Sequence, residues 1–216
     1  MRFIEVLCEG SSDVPAVREI LCRHFGLRPG EHFRVHPHAG KGKLPLNPMA
    51  PPDSRRRGLL DQLPAKLRGY GKSENEGYAI LVVVLVDADD DDCHALKRSL
   101  LKLYEDLPRK PAQVLFRIAV EETESWFLAD PKAVRAAFHG VDVAALHRLT
   151  PDGICGAWES LARTLGMDPA ECSGADKVRW AEAIAPHLDL TAPKSPSLRA
   201  FVDGLEGRLR QGELSQ

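Results

Sequence analysis

A chain of 216 residues, 44% hydrophobic and 28% charged, is long enough to bury a substantial core. That composition belongs to a folded globular protein and excludes the disordered, collagenous and membrane-embedded classes. The net charge of −2 excludes a global attraction to nucleic acid, so a partner of that kind has to be held by a local patch.

The chain opens with Met1-Arg2-Phe3-Ile4-Glu5, which reads as the start of a strand over Arg2 to Cys8 and not as a signal peptide. No apolar run reaches membrane-spanning length, so no membrane partner and a cytoplasmic location are expected. Five scattered cysteines (Cys8, Cys22, Cys93, Cys155, Cys172) form no CxxC pair and suggest neither a zinc ribbon nor a disulfide framework. After the first strand comes a tight loop, Glu9-Gly10-Ser11-Ser12-Asp13. A helical stripe of Val14, Val17, Leu21 and Phe25 follows, with Ser12 or Asp13 as its N-cap and Pro15 in its first turn. Glu9 therefore stands at the carboxyl end of a strand, just before a helix.

Phe33 to His36 is a short edge strand. Beyond it, Pro37, Pro45, Pro48, Pro51 and Pro52 with nearby glycines predict a long loop, of the kind that is functional or disordered in compact domains. Gly40-Lys41-Gly42-Lys43 lacks the spacing of a phosphate-binding P-loop and follows no apolar strand. His36 and His38, without further ligands, read as surface residues. From Arg28 to Lys72 basic residues outnumber the acids Glu31, Asp53 and Asp61. Lys41, Lys43, Arg55, Arg56 and Arg57 are the candidates there for contact with a phosphate backbone, with a solvated basic face as the alternative. A helix is predicted from Arg55 to Tyr70, interrupted or restarted at Pro64.

Tyr78 to Val86 is an unbroken apolar run with no polar alternation, the pattern of a central parallel strand buried on both faces. It ends in five carboxylates within six residues, Asp87 and Asp89 to Asp92. One or two of them would suffice to cap the next helix, whose apolar positions are Leu96, Leu100, Leu103 and Leu107. Five carboxylates repel one another unless a cation or a basic partner sits among them. Gln113 to Val120 is a further strand, and it too runs into acids, Glu121, Glu122 and Glu124. These also open a helix carrying Trp126, Phe127 and Leu128, where the helix dipole is an equal explanation for Glu122. Trp126 reads as core, and Asp130-Pro131 as the cap and first turn of another helix through Phe138.

If helical crossovers make these strands parallel, Glu9, Asp87/Asp89 and Glu121/Glu122 arrive at one edge of the sheet, where ligands of open α/β sheets bind. Chance places one acid there; three such sites favour a crevice for Mg2+ (or Mn2+), with Asp91 a further candidate ligand. After Gly140 the pattern is helical, with Trp158, Leu161, Ala162 and Leu165 on one face, then Trp180, Ala181, Ile184 and Leu188. A last helix follows Ser195-Pro196-Ser197 and buries Leu198, Phe201, Val202, Leu205 and Leu209. The expected organisation is an α/β domain over residues 1–139 with a helical extension over 140–216 packed on it. Lys177 reaches a phosphate if its helix N-terminus faces the crevice; a solvated lysine is the alternative.

The Glu-Gly loop, the apolar strand ending Asp87-Ala88-Asp89 and the acids further on resemble the Toprim domain of topoisomerases, primases and OLD-type nucleases. More narrowly, the chain resembles a bacterial Toprim-like family catalogued as a domain of unknown function (number 4276). The likeness rests on Val6 to Asp13, Val86 to Asp89, Glu121 to Asp130, Gly174-Ala175-Asp176-Lys177 and Ser195 to Leu198. It implies a mainly parallel open sheet flanked by helices, Glu9 as the general acid/base, and Asp87 and Asp89 as magnesium ligands. The run Asp90 to Asp92 leaves the third ligand open.

Two functions follow as expectations. The first is a metal-dependent phosphodiesterase, a nuclease acting on DNA in the service of phage defence, with Glu9, Asp87 and Asp89 catalytic and Glu9, Asp87, Asp89, Asp91, Glu121 and Glu122 as the pool of metal ligands. The second is a non-catalytic module that binds nucleic acid or protein and works with a partner ATPase. A phosphotransferase or phosphatase for small molecules follows the same metal logic.

Overall fold

The computed structural model describes residues 2–89, 91–141, 146–147, 149–150, 152–153 and 156–213, with side chains as far as residue 210; Asp90 and Cys155 lie outside the described residues. Strands β1 (Phe3–Cys8), β2 (Phe33–Pro37), β3 (Ile80–Asp87) and β4 (Val114–Ala119) form one sheet in the order β2-β1-β3-β4, every pair parallel. The helices are α1 (Asp13–Glu19), α2 (Leu59–Asn75), α3 (Cys93–Asp106), α4 (Glu124–Leu128), α5 (Pro131–Ala137), α6 (Ala157–Thr164), α7 (Gly174–Ile184) and α8 (Pro196–Glu213). No helix among the described residues is long and apolar enough to cross a membrane.

The apolar run of β3 is buried throughout because both its faces are covered. Leu81, Val83 and Leu85 enter one core, with α1 and the helices after residue 123. Val82, Val84 and Val86 enter the other, with α2 and α3. Each such side chain contributes about 1.5–3 kcal/mol of burial, so the strand has no position for a polar residue before Asp87 at its end. Helix placement follows from right-handed crossovers. The chain steps one way from β1 to β2 over α1, then reverses towards β3 and β4 over α2 and α3. The reversal puts α2 and α3 on the opposite face. The point where the direction changes lies between β1 and β3.

Two predicted helices differ in detail. The stripe after Asp13 is α1 followed by a wider π-turn over Ile20–His24. This turn aims Arg23 at the carbonyls of Ala185 and Leu188, both 3.1 Å away, and His24 at Glu206. Helix α2 starts at Leu59 and not at Arg55, because the preceding loop caps it. The N–H groups of Leu59 and Leu60 donate to Gly40 and Lys41 carbonyls at 2.8 and 2.7 Å. Gly58 lies so close to Gly42 that a Cβ on it would come 2.6 Å from the Gly42 Cα. Pro64 does not interrupt α2. It is buried with Leu59, Leu63 and Leu67, and that packing offsets the roughly 3 kcal/mol cost of an interior proline.

The helices after residue 140 bury Leu161, Trp180, Ile184, Leu198 and Phe201 in the same core as Ile4, Val6 and Val83. No strand occurs there among the described residues.

Candidate active site

Because the sheet is parallel, β1, β3 and β4 end at one edge, and the acids that follow them meet at the reversal between β1 and β3, where open α/β sheets bind ligands. Glu9, 8% exposed, accepts the Asp87 N–H at 2.9 Å and so ties the end of β1 to that of β3. Asp13, 3% exposed, accepts the Gly10 N–H at 2.9 Å and the Thr123 hydroxyl at 2.8 Å, tying β1 to the segment after β4. Glu124, 2% exposed, opens α4 beneath them. Asp89 and Glu121 both adopt the left-handed backbone, with φ of 47° and 65°, and the Asp89 N–H donates to the Glu121 carbonyl at 3.0 Å. Non-glycine residues rarely adopt that conformation, and it concentrates where a structure holds a functional geometry.

The electrostatics show how crowded the acids are. Burial pushes Glu9 up to about 8, with the Asp89 and Asp13 charges adding to it. Asp87 is raised well above the usual carboxylate range by burial, then by Asp13, Glu9, Glu124 and Glu122. Burial lifts Glu124 to about 7 despite Lys177, and Asp13 and Glu122 also lie above their ordinary values, chiefly through burial.

Two lysines enter the cluster from opposite sides. Lys41, on the Gly40-Lys41-Gly42 turn, lies 3.2 Å from Asp89 and 2.7 Å from Asp91 and donates to the Ala88 carbonyl at 2.8 Å. Lys177, on α7, lies 3.2 Å from both Glu122 and Glu124 and 5.6 Å from the centre of the Trp158 ring. Burial opposes its charge, but the two glutamates outweigh burial and raise it. Neither Glu124 oxygen makes an aligned hydrogen bond among the described residues.

The remaining candidates are placed differently. Glu121 Oε2 accepts the N–H groups of Gly156 and Ala157, and Glu122 Oε2 that of Trp158, so both carboxylates also cap the start of α6. Asp92 caps α3 through the Ala95 N–H, as expected for one member of the run. Lys43 shares a cavity of about 570 Å3 with Lys41, Asp89 and Asp91. A second cavity, about 410 Å3, has Asp89, Glu121, Glu122, Trp158, Glu159 and Arg163 on its walls. Asp89 therefore stands between the two. Arg55, Arg56 and Arg57 stay in the exposed loop, with Arg55 folded back on Asp53.

Sequence reasoning missed Asp13 and Glu124 as members of the cluster. Asp13 looks like a helix cap in sequence. Glu124 looks like a dipole partner, although a carboxylate directly before Ser125-Trp126-Phe127-Leu128, all buried, has nowhere to go but inward.

The donors are all carboxylate oxygens, the chemistry of hard divalent cations such as Mg2+ or Mn2+. The Glu124 Oε2, which no described group bonds or pairs, and the raised carboxylates fit a missing positive charge. As placed, the side chains are spread between the two lysines and the α6 amides. No group of three or more described His, Cys, Asp and Glu residues is arranged to hold a metal ion.

The family described as Domain of unknown function (DUF4276) matches residues 8–206. Among solved structures, the C-terminal region of the Burkholderia pseudomallei OLD protein is similar at 14% identity and a TM-score of 0.45, over 96% of this chain and 98% of that one. The C-terminal region of the Xanthomonas campestris pv. campestris OLD protein is similar at 16% identity and a TM-score of 0.44, over 99% of this chain and 98% of that one. No curated protein matches the chain.

Proposed function

The chain belongs to the DUF4276 family, and we propose that it is a divalent-metal-dependent phosphodiesterase, a nuclease acting on DNA. One observation carries this reading: Glu9, Asp13, Asp87, Glu122 and Glu124 repel one another at the carboxyl edge of a parallel sheet. A cation held by Asp87, Asp89 and one of the neighbouring glutamates would polarise the phosphate and supply an activated water.

The chain's own groups have separate tasks. Glu9 uses Oε1 to accept the Asp87 N–H, which leaves Oε2 to carry a proton, and its burial favours the protonated form. It is therefore the group that hands a proton to the departing oxygen. Lys41 and Lys177 turn from their carboxylates to the non-bridging phosphate oxygens. Lys43 and Arg55 to Arg57 hold the neighbouring backbone without reading sequence.

Glu9→Gln and Asp87→Asn are expected to lower Mg2+- or Mn2+-dependent cleavage of DNA roughly 100-fold or more, with the fold intact by circular dichroism. Normal cutting by either variant would sink the assignment. Calorimetric titration of Mn2+ should show saturable binding by the native protein that Asp87→Asn removes.

A second reading, a module that binds nucleic acid or protein alongside a partner ATPase and performs no chemistry, is favoured by one feature. Lys41 and Lys177 pair with Asp89, Asp91, Glu122 and Glu124, so cations of the chain itself neutralise part of the cluster. Unchanged DNA in the presence of Mn2+, together with retained DNA binding, would favour it. A role in phage defence belongs to either reading and is tested by phage plating on cells carrying the native or the Asp87→Asn protein.

A further inference from the structure

The outer edge of β4 carries a second concentration of charge, of the opposite sign. Lys97, from α3, and Arg117, from β4, both donate to the Phe116 carbonyl oxygen, Arg117 through Nη1 at 3.0 Å. Two cations that share one acceptor lie side by side. Arg117 also donates through Nε to the Ala200 carbonyl at 2.7 Å, which lays its guanidinium along α8. The helix makes room with Gly204, where any Cβ would overlap that guanidinium. One turn further on, Arg208 approaches the same strand, its Nη1 2.8 Å from the side-chain oxygen of Gln113. Among the described residues, no carboxylate comes within 4.0 Å of any of the three.

A simpler role explains part of this. Charged side chains on an edge strand block pairing with another chain, and Lys97 and Arg117 cap an edge carbonyl of β4. Edge protection does not call for Arg208. Nor does it explain three partly buried cations brought together with no carboxylate within 4.0 Å among the described residues. Burial, then Arg117 and Arg208, push the Lys97 ammonium down to about 8, and burial and Arg208 lower Arg117, with Asp203 opposing. Crowding of that kind costs stability unless an anion completes the group. The Arg208 Nη2 makes no hydrogen bond among the described residues, whereas the Arg117 Nη2 lies against Gly204, so Arg208 retains donors in the planar array that suits an oxyanion and Arg117 adds its charge beside them.

We infer that Lys97, Arg117 and Arg208 form a phosphate-binding site on the lateral edge of the sheet, separate from the acidic crevice. Arg117 lies two residues before the end of β4, and the crevice acids begin beyond that end. The phosphate comes either from a nucleic-acid backbone passing the edge or from a free phosphate-bearing molecule.

The test is made on the full chain in EDTA, so that it is independent of any metal chemistry in the crevice. Inorganic phosphate and a single-stranded 12-nucleotide DNA are titrated separately by calorimetry into the native protein and into Lys97→Gln, Arg208→Gln and Arg210→Gln. Arg210 is the control, because it lies on the same helix but is paired with Glu206. Saturable phosphate binding, weakened about tenfold or more in the Lys97 and Arg208 variants and unchanged in Arg210→Gln, is the expected result. Competition between phosphate and the oligonucleotide assigns the site to a backbone phosphate; phosphate binding without competition assigns it to a free ligand. No saturable phosphate binding, or equal weakening in all three variants, overturns the inference. Folding of each variant is checked by near-ultraviolet circular dichroism, and the partial variant Lys97→Arg, which keeps the charge, should retain binding.

Discussion

The carboxyl edge of the sheet and the outer edge of β4 crowd like charges by different means. At the carboxyl edge, the acids are deeply buried, pushed towards their protonated forms, and held partly in check by Lys41 and Lys177. At the outer edge, Lys97, Arg117 and Arg208 are only partly buried and have no carboxylate within 4.0 Å among the described residues, Asp203 acting on Arg117 from further away. Charge in the crevice is partly compensated from within the chain, whereas the edge cluster has no such close pairing among the described residues. Both draw a cation from beyond residue 139, Lys177 in one case and Arg208 in the other.

Cutting the chain after residue 139 breaks both regions together and should have the largest effect. We propose that residues 1–139 and 140–216, though distinct in pattern, fold as one cooperative unit, because Trp180, Ile184 and Phe201 share a core with β1 and β3. Fragment 1–139 is expected to lack a cooperative thermal transition; a sharp transition with native-like near-ultraviolet signals would make the boundary a true domain border.

Next in size is Lys177→Met, which leaves Glu122 and Glu124 buried without their cation. Breaking a buried ion pair from one side costs about 3–5 kcal/mol. Chemical denaturation should show a loss of that order and partial recovery in Lys177→Met/Glu124→Gln. Equal stability of the single and double variants would mean that the lysine does not compensate Glu124.

A smaller effect distinguishes the crevice by pH. Glu9 is raised from 4.5 to about 8 and Glu124 from 4.5 to about 7, so between these limits the folded state binds more protons than the unfolded one. Their contribution to the stability of the metal-free protein is therefore fully present below about pH 4.5 and is lost as pH rises towards 8. Melting temperatures in EDTA across this range should decline, and Glu9→Gln should flatten the decline while impairing function. A flat native profile would contradict the crowding. The smallest effect is expected for Gly204→Ala, whose added methyl displaces the Arg117 guanidinium at a cost of about 1–3 kcal/mol. Phosphate affinity at the edge should fall with it, and Mn2+ affinity in the crevice should not.

The parallel sheet was legible because β3 is so uniformly apolar that only burial on both faces suits it. Glu9, Asp87, Asp89 and Glu122 were legible as acids at strand ends. Asp13 and Glu124 were not, since a carboxylate at the start of a helix reads the same whether it caps the helix or is drawn inward by another loop. The Thr123–Asp13 bond that distinguishes the two spans 110 positions. Charge counting over Arg28 to Lys72 pointed to a basic stretch, yet of its cations Lys41 pairs with the acids, carried there by a glycine-flanked turn. The edge cluster assembles residues from α3, β4 and α8, far apart in the chain, and no local pattern reports it.

The clamp of Gly40 and Lys41 on the start of α2 has a practical consequence. The Ala39 N–H also meets the Arg57 carbonyl at 3.1 Å, so the stretch from Lys43 to Arg56 begins and ends at one point. For a stretch pinned in that way, doubling its length costs only about 0.6 kcal/mol of closure entropy. Its length is thus uncoupled from the position of Lys41. A peptide tag or a fluorescent reporter spliced in near Leu46, fully exposed and ahead of the Pro48 and Ala50 carbonyls that Arg68 holds, would ride on a tether whose base stays fixed. Length variants of this segment can therefore be made without retuning the residue it delivers.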